Sequence, residues 1–160
     1  MKSQEWSFLD KSQWGNGPWV YEPDKAQWPD KETGLPCLAV RHPNSGHWCG
    51  YVGVAEGHPE FGKDYDAVLA DVHGGLTFAD FCNPNEKEQG VCHIPDEGEP
   101  DRVYWLGFDC VHLGDLSPAY NRRLGQVDAY PDTYRTLDYI KNECASLARQ
   151  LKETNSSNTL

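Results

Sequence analysis

The segment Phe108-Asp109-Cys110-Val111-His112-Leu113-Gly114-Asp115 brings two carboxylates, an imidazole and a thiol together at what reads as the end of a strand. Asp109 and His112 could make an oriented general base, because a carboxylate that holds one imidazole nitrogen leaves the other to take a proton. His112 and Asp115 could equally be two metal ligands. Cys110 is set aside as a nucleophile, since the carboxylate beside it raises a thiol pKa. A second group is His73-Gly74-Gly75. Its histidine could act as acid, base or ligand, and paired glycines let a backbone approach a ligand and turn amides toward an anion. If His73 and His112 meet in space, they form with Asp109 or Asp115 either a His/Asp acid–base pair or a facial metal site. A divalent metal is compatible with that set, its candidate ligands being His73, His112 and Asp115, but no spacing names a cofactor. Glu56 and His58, beside Gly57 and Pro59, are candidates to join the same sheet end as ligand-binding residues. The plainer reading is that Asp109 and Asp115 cap turn amides and Gly74-Gly75 is a tight turn. His42 and His47 flank another turn and are expected to face solvent.

Several elements must position these groups. Leu38–Arg41, a turn at His42-Pro43-Asn44-Ser45-Gly46, and His47–Val54 read as a β-hairpin, rich in strand formers on both arms. Pro59 ends the second arm. Ala67–Val72 is an apolar run that fits a strand or one to two helical turns. After His73-Gly74-Gly75 a strand is expected from Leu76. Residues 82 to 101 form a long loop holding Glu86, Glu88, Asp96, Glu97, Glu99 and Asp101, and loops of that length are often functional. Arg102–Asp109 has the composition of a buried central strand and delivers the His/Asp segment at its end. Leu137, Ile140, Cys144, Leu147 and Leu151 form one apolar stripe, predicting a helix over 133–152 with Asp132 as N-cap. Residues 1 to 35 carry four of the six tryptophans between Gly and Pro turns. They read as an aromatic wrap with one short strand at Trp19–Glu22. The fold class expected is α+β: a small, mainly antiparallel sheet, an aromatic-rich N-terminal segment and one long C-terminal helix packed on the sheet. A single domain over 1–152 and a disordered tail over 153–160 complete the organisation.

The chain has 160 residues with 14 Lys+Arg and 25 Asp+Glu, a formal charge of −11. That argues against direct nucleic-acid binding, which needs clustered basic residues on phosphates. It also argues against adhesion to anionic membranes, and no apolar run is long enough to span one. The first residues lack a secretory pattern, so the six cysteines are expected to be reduced and mostly buried, in a cytoplasmic protein. Cys82 and Cys92-His93 bracket the acidic loop. Zinc ligands usually come as two close pairs, so a loop-closing contact, or a disulfide under oxidising conditions, suits them at least as well.

Five strings, Thr33-Gly34-Leu35-Pro36-Cys37, Cys49-Gly50-Tyr51-Val52-Gly53-Val54, Gly57-His58-Pro59, Val72-His73-Gly74-Gly75-Leu76-Thr77 and Gly107–Asp115, resemble a family of small uncharacterised bacteriophage and bacterial proteins. The resemblance spans roughly residues 20 to 150 and supplies no activity or functional residue. It implies a bacterial cytosol as compartment and a setting of phage–host conflict, including anti-defence. The expected function is a hydrolase acting on a small phosphorylated or nucleotide-like substrate through His73, Asp109, His112 and Asp115, with Gly74-Gly75 at its anion. The rival is a non-catalytic acidic binder, which either sequesters a small molecule or inhibits a host protein by mimicking nucleic acid.

Overall fold

A computed structural model describes residues 1–121 and 132–157 of the protein. Six strands, β1 (Gln4–Trp6), β2 (Lys25–Pro29), β3 (Pro36–Arg41), β4 (Trp48–Ala55), β5 (Phe78–Phe81) and β6 (Val103–Asp109), form one antiparallel sheet in the order β1-β2-β3-β4-β6-β5. A short α1 (Pro118–Asn121) precedes the long C-terminal α2 (Leu137–Ser157). The architecture is the α+β arrangement expected. Among the described residues, no helix is long and apolar enough to cross a membrane.

The two sheet faces are covered differently. On one, α2 lays Leu137, Ile140, Cys144, Leu147, Ala148 and Leu151 against Cys37, Ala39, Val52, Val54, Leu106 and Phe108. Each fully buried Leu or Ile contributes roughly 1.5–3 kcal/mol of transfer free energy, so this seam is a main support of the fold. Gly50 is required there, because a Cβ at that position would fall 2.5 Å from the Phe108 ring. On the other face, Leu38, Val40, Tyr51, Val103 and Trp105 pack with Val91 of the 82–101 loop. That loop is fixed by Gln27, whose side chain both donates to Ile94 O and accepts from Ile94 N, at 3.2 and 2.8 Å. The His93 ring meets Trp105 edge-on, with centroids 5.2 Å apart. The acidic loop is therefore a cover for the second face.

Several expectations need correcting. Trp19–Glu22 is no strand; Pro18–Tyr21 is a 3-10 turn, as Pro at its start favours, and the N-terminal strands are β1 and β2. α2 begins at Leu137, because Thr133 pairs with Asp115 in a parallel bridge and Thr136 accepts from Tyr139 N at 3.2 Å. Thr136, and not Asp132, holds the first turn, helped by Glu22 Oε2, which accepts from Leu137 N at 2.6 Å. The tail is helical through Ser157, since Thr154, Ser156 and Ser157 donate to carbonyls four residues back. Residues 122–131, and the last three residues of the expected tail, 158–160, lie outside the described residues.

Cysteine chemistry departs from the reduced state expected at one pair and follows it at the other four residues. Cys82 and Cys92 are joined by a disulfide that closes part of the loop. Cys37, Cys110 and Cys144 are buried free thiols and Cys49 is half-buried; burial pushes all four upward, Cys49 to about 12. These thiols are inert at neutral pH.

A buried charge network where β2 begins and β3 ends has no counterpart among the sequence motifs. Asp24, fully buried, accepts from Phe8 N and Leu9 N at 2.7 and 2.8 Å and pairs with Lys11 and Arg41 at 2.8 and 3.2 Å. Arg41 also donates to Gly46 O, Pro23 O and the Tyr134 hydroxyl, which in turn donates to Glu22. The network ties the N-terminal wrap, the β3–β4 turn and the start of α2 into one unit.

Candidate functional site

Sheet register places the two histidine segments side by side. β6 continues past Asp109 through a Cys110 N to Trp48 O bond of 3.1 Å, and β5 pairs with β6 from Phe78 opposite Gly107. Residues 73–77, leading into β5, therefore lie beside residues 109–115, leading out of β6. The His73 and His112 ring centroids are 5.9 Å apart. Gly74 makes this closeness sterically feasible: its φ is +67°, and a Cβ there would collide with His112 Nε2. The pair Gly74-Gly75 also forms a turn, with Gly75 N donating to Val72 O at 2.9 Å. The Gly75 amide is thus already used, and the role left to Gly74 is to seat His112.

His73 belongs to a closed arrangement. Its Nε2 lies 2.7 Å from Asp115 Oδ2 and its Nδ1 2.8 Å from the Tyr139 hydroxyl, which donates to Glu143 at 3.0 Å. Both imidazole nitrogens are occupied. Asp115 also accepts from Arg135 Nε at 2.9 Å and from His112 N at 3.1 Å. Its side chain is only 1% exposed. Burial acts to raise the Asp115 pKa, but His73, Arg135 and the His112 amide outweigh it and hold the carboxyl below its ordinary value. The bridge between Asp115 and Thr133 brings Arg135 to this point, with Thr133 N donating to Gly114 O at 2.7 Å.

His112 belongs to an open arrangement. Its side chain is 37% exposed, and Nε2 sits 2.9 Å from Asp109 Oδ1. That contact is Coulombic, with an angle outside hydrogen-bond geometry, so Asp109 Oδ1 is buried without a hydrogen-bond partner among the described residues. The other oxygen, Oδ2, accepts from Thr77 Oγ1 at 2.8 Å. Thr77 N is itself held by Gly107 O at 2.9 Å, so β5 and β6 jointly aim the carboxylate. His112 Nδ1 has no partner among the described residues. Catalytic hydrogen bonds are often poorly aligned without substrate, and an orphaned buried carboxylate oxygen beside an exposed imidazole is a functional signature.

The remaining candidates fall elsewhere. Asp109 pairs with Cys49 at the start of β4, whereas Glu56 and His58 follow Ala55 at its far end. Those two ends are about 20 Å apart at the rise of an extended strand. His58 is structural, its Nε2 within 2.8 Å of Leu151 O and its Nδ1 accepting from Glu60 N at 3.0 Å. It docks α2. His47 does not face solvent: it is buried against Ser45 Oγ at 2.6 Å, and burial pushes its pKa down to about 4. His42 is exposed and stacks on it. Among the described residues, no group of three His, Cys, Asp or Glu side chains is arranged to hold a metal ion. His73 and Asp115 meet as hydrogen-bonding partners, and His112 reaches the same carboxylate through its backbone amide.

Arg135 and Tyr139 lie outside the motifs, and Thr77 closes the Val72–Thr77 string without an assigned role. Thr77 stands four residues after His73 with a hydroxyl and could have been weighed for that reason; Arg135 lies just before α2 and Tyr139 in its first turn, with no local signal of their role. No protein-family model, curated protein or solved structure matches the chain.

Proposed function

We propose that the protein is a hydrolase of a small phosphorylated or nucleotide-like substrate, with His112 as the general base. The observation that carries this reading is the open Asp109–His112 pair: an exposed imidazole with a free Nδ1, backed by a carboxylate that Thr77 fixes from the other side. His112 Nδ1 takes a proton from water as the water oxygen bonds to phosphorus. Asp109 stabilises the imidazolium that forms. The bond from phosphorus to the leaving oxygen breaks, and the proton on His112 passes to that oxygen. Arg135 supplies the cation for the substrate anion, since among the described residues its only hydrogen bond is from Nε to Asp115, its guanidinium lies over the Tyr139 ring, and its side chain is partly exposed. His73 and Asp115 are positioning residues that hold Arg135 and the backbone of His112.

The setting proposed with it is the bacterial cytosol during phage–host conflict, with a small-molecule ligand and no nucleic-acid partner. The Cys82–Cys92 bond gives that compartment a check, because a reducing cytosol would hold the pair as a dithiol. Phosphate release from a panel of nucleoside mono-, di- and triphosphates and simple phosphomonoesters tests the activity. Wild-type protein is expected to release phosphate from at least one, and His112→Ala to lose roughly 10²–10⁴-fold in rate, the usual contribution of a positioned acid–base group. No release from any compound, or equal release by His112→Ala, would contradict the proposal.

A further inference from the structure

A second region with chemistry of its own lies under the loop that covers the other sheet face. A cavity of about 530 Å³ opens between Trp6 of β1, Lys25 of β2 and the 82–101 loop, within the size range of small-molecule sites. Lys25 lines it although the residue is only 2% exposed. Its Nζ donates to Lys87 O and Glu88 O at 3.1 and 3.3 Å and lies 5.5 Å from the centre of the Trp6 ring. None of these partners is an anion, and no carboxylate of the described residues pairs with Lys25. An ammonium has three N–H donors. Two are taken by carbonyls and one is left.

A buried cation without a counter-charge is costly, and a bound anion would offset that cost. Burial alone accounts for the fall of the Lys25 pKa to about 8, which fits a charge that no carboxylate of the described residues pairs. Trp6, Ile94, Pro95 and the Cys82–Cys92 disulfide form the apolar part of the wall, and His93 completes it. At the rim, Glu88 and Asp101 are exposed acids, with Lys87 opposite in charge and equally exposed. With Lys25 as its one buried cation and Lys87 exposed at the rim, the cavity suits a singly charged ligand, whereas a phosphate dianion would call for an Arg fork or an amide nest.

We infer that this cavity binds a small monocarboxylate with an apolar or aromatic body, the carboxylate on Lys25 Nζ and the body between Trp6 and Ile94. The site is separate from the His/Asp groups and stands whether or not those are catalytic.

Benzoate and phenylacetate are the probes, titrated calorimetrically into the native, disulfide-bonded protein, with benzyl alcohol as the uncharged control and inorganic phosphate as the competing anion. Saturable binding of a carboxylate is expected, weakened roughly tenfold or more in Lys25→Met, as loss of a charge-assisted contact implies. Benzyl alcohol should bind weakly to both proteins. The inference is overturned if neither carboxylate binds saturably, if Lys25→Met binds as tightly as wild type, or if phosphate or benzyl alcohol matches benzoate. Should Lys25→Met fail to fold, NMR of the native protein decides: the Trp6 indole and Ile94 methyl signals must shift saturably with benzoate, and unmoved signals overturn it.

Discussion

The two His–Asp pairs of this protein stand side by side and differ in what surrounds them. His73 and Asp115 are closed, with 13% and 1% of their side chains exposed, and every polar atom of the pair faces a partner. His112 and Asp109 are open, at 37% and 24%, and among the described residues one imidazole nitrogen and one carboxylate oxygen lack a hydrogen-bond partner. The same residue types thus serve two ends. A saturated pair fixes geometry, and an unsaturated pair beside solvent can exchange protons. Arg135 and the His112 amide, both on Asp115, connect the two.

Breaking the closed pair should have the largest effect on stability. Asp115→Ala leaves His73 and Arg135 without their carboxylate and is expected to cost about 3–5 kcal/mol, read as a lower denaturant midpoint. The same pair sets an acid limit. Because the Asp115 pKa is depressed in the folded protein, its contribution is complete above the unfolded value, about 3.9, and is lost as pH falls through the folded value. Wild type should therefore lose stability below about pH 4 more steeply than Asp115→Asn, in urea melts at stepped pH.

Disturbing the open pair should leave the fold largely intact and strike the chemistry. Gly74→Ala places a methyl where His112 sits and asks a non-glycine residue to adopt φ +67°. About 1–2 kcal/mol of strain is expected, together with a displaced His112 ring, visible as a shifted imidazole signal in NMR and as lost turnover. Thr77→Val, which removes the hydroxyl from Asp109 Oδ2, should be smaller still: about 1 kcal/mol in stability, with a reduced hydrolytic rate. If Thr77→Val instead matched Asp115→Ala in cost, the distinction between the pairs would fail.

How far the sequence could reveal this depends on the range of the forces involved. The hairpin, β6 and the apolar stripe of α2 were legible because alternation and a 3.6-residue period are local patterns that one buried face imposes. β1 and β2 were not, since Gln4–Trp6 and Lys25–Pro29 are short, mostly polar and carry no alternation that marks a buried face. The meeting of His73 with His112 could be posed only as a condition, because it depends on β5 adding to β6 at the sheet edge. Glu56 and His58 looked equivalent to the others in one dimension and fall at the opposite end of β4. The roles of Thr77, Arg135 and Tyr139 arise wholly from long-range contacts.

The central claim, that one imidazole is reactive and its neighbour is structural, can be tested on the native protein without a substrate. Diethyl pyrocarbonate acylates accessible, unoccupied imidazole nitrogens, and peptide mass spectrometry reads each histidine separately. His112 is predicted to react at a rate close to that of exposed His42, while His73, with both nitrogens bonded, stays protected until the protein unfolds. Equal labelling of His73 and His112, or faster labelling of His73, would contradict the account.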